Sequence, residues 1–434
     1  MTRADESLLR LSERPLPSAP AFLAALRRQG ADDLARLGLP TVRHEDWRYT
    51  SLAPLAALEL RAAPAVRLDA AAAGRLGGLP PAPRLVVANG RLDPDLTDLA
   101  GLPAGAFAGD LAAALRERPA LLEAHLSRTG SFAGSALAAI ADACLEDLVL
   151  LHLPDGAAAS APVHVVFAAI PGPAPAAAFP RALVVAGRGA RATVVETWAG
   201  EGGGLVVGRT EFAVAEGAEV ELLRVQREAP EAFHLGLLGV SQAARSRFAG
   251  RSLALGARLA RVEARVLLAG EEAENHLDGL SVASGSQLHD HFVLVDHAVP
   301  RGTSRELFKG ILDGRSRGVF AGRIVVRPDA QKTDAGQVSS TLLLSDDATV
   351  DTRPQLEILA DDVKCSHGGT VGQLDEDALF YLRTRGLGRA AARALLTWAF
   401  AAEMVERIPA PLRAGVRRLV TARLPGGELL AEAA

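Results

Sequence analysis

The hydrophobic period changes twice along this chain. In residues 1–155 apolar positions recur at helical spacing: PSAPAFLAALRRQGADDLARLGLP carries such a stripe and closes on Gly-Leu-Pro, and AFAGDLAAALRERPALLEAHLS repeats the pattern. Short Pro and Gly breaks divide the region into packed helices. From about Leu153 to about Leu359 the period is two. Val163, Val165 and Phe167 alternate with His164 and Val166, and RALVVAGRGARATVVETWAG, EFAVAEGAEVELLRVQRE, ARLARVEARVLLAG, HDHFVLVDHAV, GVFAGRIVVRPDA and STLLLSDDATV follow. Strands without helices between them argue against a doubly wound sheet. Small turns at Gly189-Ala190, Gly217-Ala218 and Gly256-Ala257 each lead into a strand, but at unequal separations. Stacked short strands suit this better than a strict repeat. A parallel β-helix is one such architecture, and a sandwich or a pair of barrels stays open on periodicity alone.

After Gly372 the period returns to 3.6. LDEDALFYLRTRGL places Leu374, Ala378, Tyr381 and Leu382 on one apolar stripe, with Asp375, Glu376 and Asp377 in the first turn, where free backbone amides favour negative charge. Gly386 ends this helix, GRAAARALLTWAFAAEMVERI forms a second, and Pro409 and Pro411 set off LRAGVRRLVTARL. The expectation is a mainly β chain in three parts: an N-terminal helical domain over 1–155, a strand-rich core over 156–372 and a C-terminal helical domain over 373–434.

Composition narrows the possible roles. The 434 residues carry 47 basic and 51 acidic side chains in mixed order, for a net charge of -4, so neither a charged tail nor a polyanion-binding field is present and nucleic acid is not an expected partner. The start MTRADESLLRLSER lacks the apolar run of a signal peptide, no apolar stretch approaches the roughly 20 residues that span a bilayer, and Cys144 and Cys365 form no disulfide framework. A cytoplasmic chain without a membrane partner is expected. The sequence has no GxxxxGK[ST] loop, and GRGARA and EGGGLVVG lack the context of a dinucleotide fingerprint, so their glycines are turn residues.

Candidate chemistry gathers in DDVKCSHGGTVGQLDEDALFYLRTRGLG. On a strand, Cys365 and His367 at i and i+2 point the same way, so a shared metal or a thiolate-imidazole pair is geometrically open, as is a purely structural cysteine. Two ligands do not close a zinc site, and no base, orienting residue or oxyanion site completes a cysteine nucleophile. Transient metal transfer asks for less, because a partner can supply the remaining ligands. In LHDHFVLVDHAV, His289 and His291 share a face, with His297 beyond and His276 upstream; the alternation is open to metal ligation, and the expectation is polar residues on the outside of a half-buried strand. In TVRHEDWRYTSLAPL, Trp47 and Tyr49 beside His44 are expected to anchor a surface loop.

Taken together, WRYTSLAPL, LLLSDDATVDTRPQLEILADDVKCSHGGTVGQLDEDALFYLRTRGL and LLTWAF resemble the SufB/SufD family of iron-sulfur cluster assembly proteins, most densely in the C-terminal segments. The resemblance implies a right-handed parallel β-helix with helical parts at both ends, working in a cytoplasmic complex of one SufB, one SufD and two SufC ATPases. It implies no catalysis by this chain and no stable cofactor in isolation, with iron or a nascent cluster held transiently in the complex. His367 matches a family histidine at the SufB interface, and Cys365 a nearby cysteine. Asp375, Leu379, Tyr381, Arg385, Gly386 and Phe400 fall in the region that receives a SufC-like ATPase. Within the family, Val338, Ser339 and Ser340 supply no thiol, and Ser366 and Gly368 flank His367 without carboxylates, which favours the SufD side over a SufB-like primary scaffold. Gly369 stands where alanine is frequent. A homodimer is expected when the SufB-like subunit is absent. A β-helix enzyme that modifies polysaccharide is the other class considered, and three Trp and two Tyr give it few aromatic platforms.

Overall fold

The computed structural model describes residues 2–16, 19–79, 83–172 and 175–431. The Pro17-Ser18 start of the first expected helix lies outside these. The chain is mainly β, a solenoid of about eight turns with helices at both ends. Each turn contributes one strand to each of two sheets, and successive strands of a sheet pair in parallel. Arg191, Glu219 and Arg247 hold equivalent positions on three successive rungs, followed by Glu274, Thr303, Asp334 and Lys364 as the spacing drifts. That drift is why the turn spacing looked irregular.

Alternation places Val184, Val194, Val206, Phe212, Val220 and Leu222 in the lumen, where the two sheets pack face to face. Gly189 and Gly217 supply the left-handed residue of their turns, with φ of 65° and 67°. At the third turn the left-handed residue is Ala257, while Gly256 is needed for room: a Cβ on it would lie 2.3 Å from the Glu228 carbonyl oxygen.

The outer faces are covered as well. N-terminal residues Leu8, Leu34, Trp47 and Leu137 pack on Leu205, Leu235 and Leu259 of one sheet. C-terminal residues Ala401, Met404, Val405 and Val416 pack on Val195, Leu223 and Leu280 of the other. Each Leu, Val or Met among these gains about 1.5–3 kcal/mol by leaving water. Charges on the first face are therefore buried in pairs. Asp142, from the helix Ala136–Ala143, lies 2.7 Å from Arg181 and 3.0 Å from Arg209; Arg181 also meets Glu211 at 2.6 Å, and Arg261 bridges Glu263 and Asp290. Arg261 stacks 3.9 Å above the Trp47 ring, and Thr50 donates to Asp290, so the aromatic segment at Trp47 anchors the N-terminal domain to the solenoid.

Two expectations are corrected. Arg84–Ala88 and Val149–Leu153, ahead of residue 155, already belong to the two sheets; their apolar runs are too short to show a period. His289 and His291 are not on the outside. They share the parity of lumen residues Val293 and Val295 and are buried, with His289 Nε2 2.8 Å from the Gly256 carbonyl. Burial holds these rings well below the ordinary imidazole value, at about 4 for His289 and about 3 for His291.

Candidate functional site at the open end of the solenoid

The last turn consists of Thr349–Ile358 and Lys364–Gly372, each the edge strand of its sheet. One side of each strand pairs inward, and the other presents unpaired backbone groups. Ile358, Leu359 and Val371 are exposed here, Val371 by 53%. Such an edge with apolar side chains beside it is a template for another chain.

Register fixes which way the candidate donors face. Cys365 pairs with Ala335, His367 with Gln337 and Gly369 with Ser339. Ala335, Gln337 and Ser339 are buried lumen residues, so Cys365, His367 and Gly369 stand on the lumen side of the final rung. Across the lumen, a Cβ on Gly369 would sit 3.5 Å from Thr352 Cγ2, an ordinary contact that an alanine would also make. Cys365 is half-buried beside Ile324, Val326 and Ala335. Its thiol is pushed up by burial, with a backbone hydrogen bond at Ala335 opposing and Asp334 adding to the rise. Burial thus favours the neutral thiol over the thiolate at Cys365. His367 is exposed and makes no side-chain hydrogen bond to another described residue.

Among the described residues, no three His, Cys, Asp or Glu side chains converge as a metal-holding group. Two donors on one face, an accessible imidazole and a thiol, are fewer than a closed metal site requires.

The C-terminal candidates divide by orientation. Asp375 caps the helix Glu376–Thr384, accepting from the Asp377 and Ala378 amides at 2.8 and 3.3 Å. Leu379 is only 2% exposed. Tyr381 is 57% exposed with the Arg385 guanidinium 5.1 Å from its ring, and Gly386 ends the turn with φ 93°. The expected stripe is therefore shifted: Leu379 faces inward, Tyr381 outward, and Phe380, 67% exposed, is a surface aromatic that periodicity did not single out. Leu374 precedes the helix, whose first residue is Glu376. Phe400 packs inward, 4.3 Å from buried Lys309 Nζ, and its carbonyl accepts from that amine at 3.0 Å. Cys144, the other cysteine, is buried and pushed up to about 12 by desolvation.

Fold and site define a parallel β-solenoid whose candidate donors stand at an open edge, with helices packed on both of its flanks. The family model for the "SUF system FeS cluster assembly, SufBD core domain" matches residues 169–400, and that for the "SufBD protein N-terminal region" matches residues 17–165. An iron-sulfur cluster assembly SufBD family protein of Synechocystis is 33% identical, over 97% of this chain and 96% of its own length. The iron-sulfur cluster assembly protein SufD of Escherichia coli is 30% identical, over 92% of this chain and 93% of its own. The chain belongs to the SufBD family and is an iron-sulfur cluster assembly protein. No helix among the described residues is long and apolar enough to cross a membrane.

Proposed function

We propose that this chain is a noncatalytic subunit of a cytoplasmic SufBCD-type assembly. It pairs with a SufB-like subunit through its last rung, docks a SufC-like ATPase on its C-terminal helices, and offers His367 first and Cys365 second to iron or a nascent cluster. The carrying observation is the coincidence of a free sheet edge, exposed apolar side chains and the Cys365/His367 face in one rung. Phe380, Tyr381, Arg385 and Gly386 form the exposed surface offered to the ATPase. Because Lys309, Phe400 and Glu403 tie the following helix to the solenoid, motion of a docked ATPase reaches the rungs through packed contacts. Ser366, Gly368 and Val338 to Ser340, which carry neither carboxylate nor thiol, favour the SufD side of the pair.

The pairing is tested by light scattering on this chain alone and mixed with a SufB-like subunit. The wild type should form one heterodimer that displaces any homodimer. Val371→Lys, at an exposed position, should weaken both associations at least about tenfold by placing charge in an apolar contact. Pairing as tight as wild type would reject the last rung as the interface.

A further inference from the structure

One column of side chains joins the open rung to the inside of the solenoid. Leu277, Glu306, Gln337 and His367 hold equivalent positions on four successive turns, spaced about 4.8 Å apart in the hydrogen-bonding direction. Phe308, two residues beyond Glu306, belongs to the lumen core, so Glu306 and Gln337 point inward as well. They are 3% and 1% exposed.

Gln337 Nε2 donates to Glu306 Oε2 at 2.7 Å. Gly322 on the facing sheet makes this possible, since a Cβ there would lie 2.1 Å from that nitrogen. With Nε2 engaged, Gln337 Oε1 is a buried acceptor without a partner, and Glu306 Oε1 is likewise unpartnered. A buried polar atom left without a partner is costly, so Gln337 Oε1 stands ready for a donor on the next rung. One rung outward, on the same face, stands the exposed imidazole of His367.

We propose that Gln337, held in orientation by Glu306, is a positioning residue for His367: its free Oε1 accepts the ring N–H and leaves the opposite ring nitrogen unprotonated toward iron at the partner interface. The inference rests on the reading of His367 as a ligand. A metal-bound histidine ordinarily donates its second N–H to a carbonyl or carboxylate, which fixes the tautomer and raises the basicity of the ligating nitrogen. The ring turns onto Gln337 as its outer nitrogen takes the metal. Glu306 offers Gln337 only the acceptor Oε2, its proton lying on Oε1, which meets no partner; the amide therefore keeps its oxygen outward, where an outward NH2 would offer the ring a donor in place of an acceptor. Burial pushes the Glu306 carboxyl up to about 8, so at neutral pH the column stays uncharged.

The test is electron spin echo envelope modulation on the reduced cluster in the assembled complex. This chain is kept at natural isotope abundance and its partners are labelled with 15N, so any 14N signal comes from this chain. His367→Ala should abolish that signal. Gln337→Met, similar in size but without the acceptor, should keep it while shifting the quadrupole coupling of the remote ring nitrogen and weakening iron binding about 10–100-fold. If Gln337→Met fails to assemble, Glu306→Met decides: without the acceptor that holds Nε2, the Gln337 amide is free to turn its NH2 to the ring, which should shift the same coupling. An unchanged coupling with the signal present overturns the positioning role and leaves the ligand reading standing. A wild-type complex with no 14N signal overturns the ligand reading and this inference with it.

Discussion

Glu306→Gln gives a direct measure of the state of the lumen. Burial raises the folded Glu306 carboxyl from its ordinary 4.5 to about 8, with the Gln337 hydrogen bond opposing the rise. The unfolded chain loses this proton as pH passes 4.5, whereas the folded chain keeps it to about 8. Stability from this group is thus complete below the unfolded value and is lost as pH rises through that window, at about 1.4 kcal/mol per pH unit. Across the window the loss is of order 5 kcal/mol as an upper bound, because water entering the lumen would lower the folded value. Glutamine has no proton to lose and can still accept from Gln337 Nε2. In urea unfolding at about pH 5.5, 6.5 and 7.5, the variant should gain on wild type by about 1.4 kcal/mol with each unit of rising pH. Buried histidines titrate in both proteins and cancel in the difference. Parallel stability profiles would refute the reasoning, since they would mean that Glu306 is ionised in the folded chain.

Other perturbations separate the parts of the fold. Asp142→Ala leaves Arg181 and Arg209 buried without their shared carboxylate and should cost about 3–5 kcal/mol, seen as a lower urea midpoint. Lys309→Met removes the bonds to the Phe400 carbonyl and Glu403; the C-terminal helix should become protease-sensitive while the solenoid keeps its circular dichroism. Alkylation of the native chain should modify Cys365 slowly and Cys144 only after unfolding, by mass spectrometry, because Cys144 is buried and held near 12. Burial also keeps His289 and His297 at about 4 and His291 at about 3, against the ordinary 6.5. The unfolded chain therefore takes up protons first on acidification, so thermal stability should fall as pH drops from 6.5 toward 4, and His291→Gln should flatten that fall.

The alternation from Val163 onward was enough to anticipate stacked strands, and the i, i+2 spacing of Cys365 and His367 placed them on one face. The sequence did not disclose which face. In a half-buried sheet polar residues mark the outside, but here helices cover both outer faces and the lumen holds polar groups. That rule puts His289 and His291 outward, and the burial of Arg181, Arg209 and Arg261 under the N-terminal helices has no local signature in the sequence. Glu306 and Gln337 were missed altogether. They lie in the ordinary strands SRELFKG and AGQVSST, and only the rung register brings them into line with His367.

The central claim is that His367 serves cluster formation at the interface rather than complex stability. The most direct measurement is iron and sulfide per assembled complex, with His367→Ala compared against wild type after reconstitution with SufB-like and SufC-like partners. An unchanged amount of assembled complex and a cluster content reduced at least about tenfold are expected. A full complement of cluster on the assembled variant would contradict the claim.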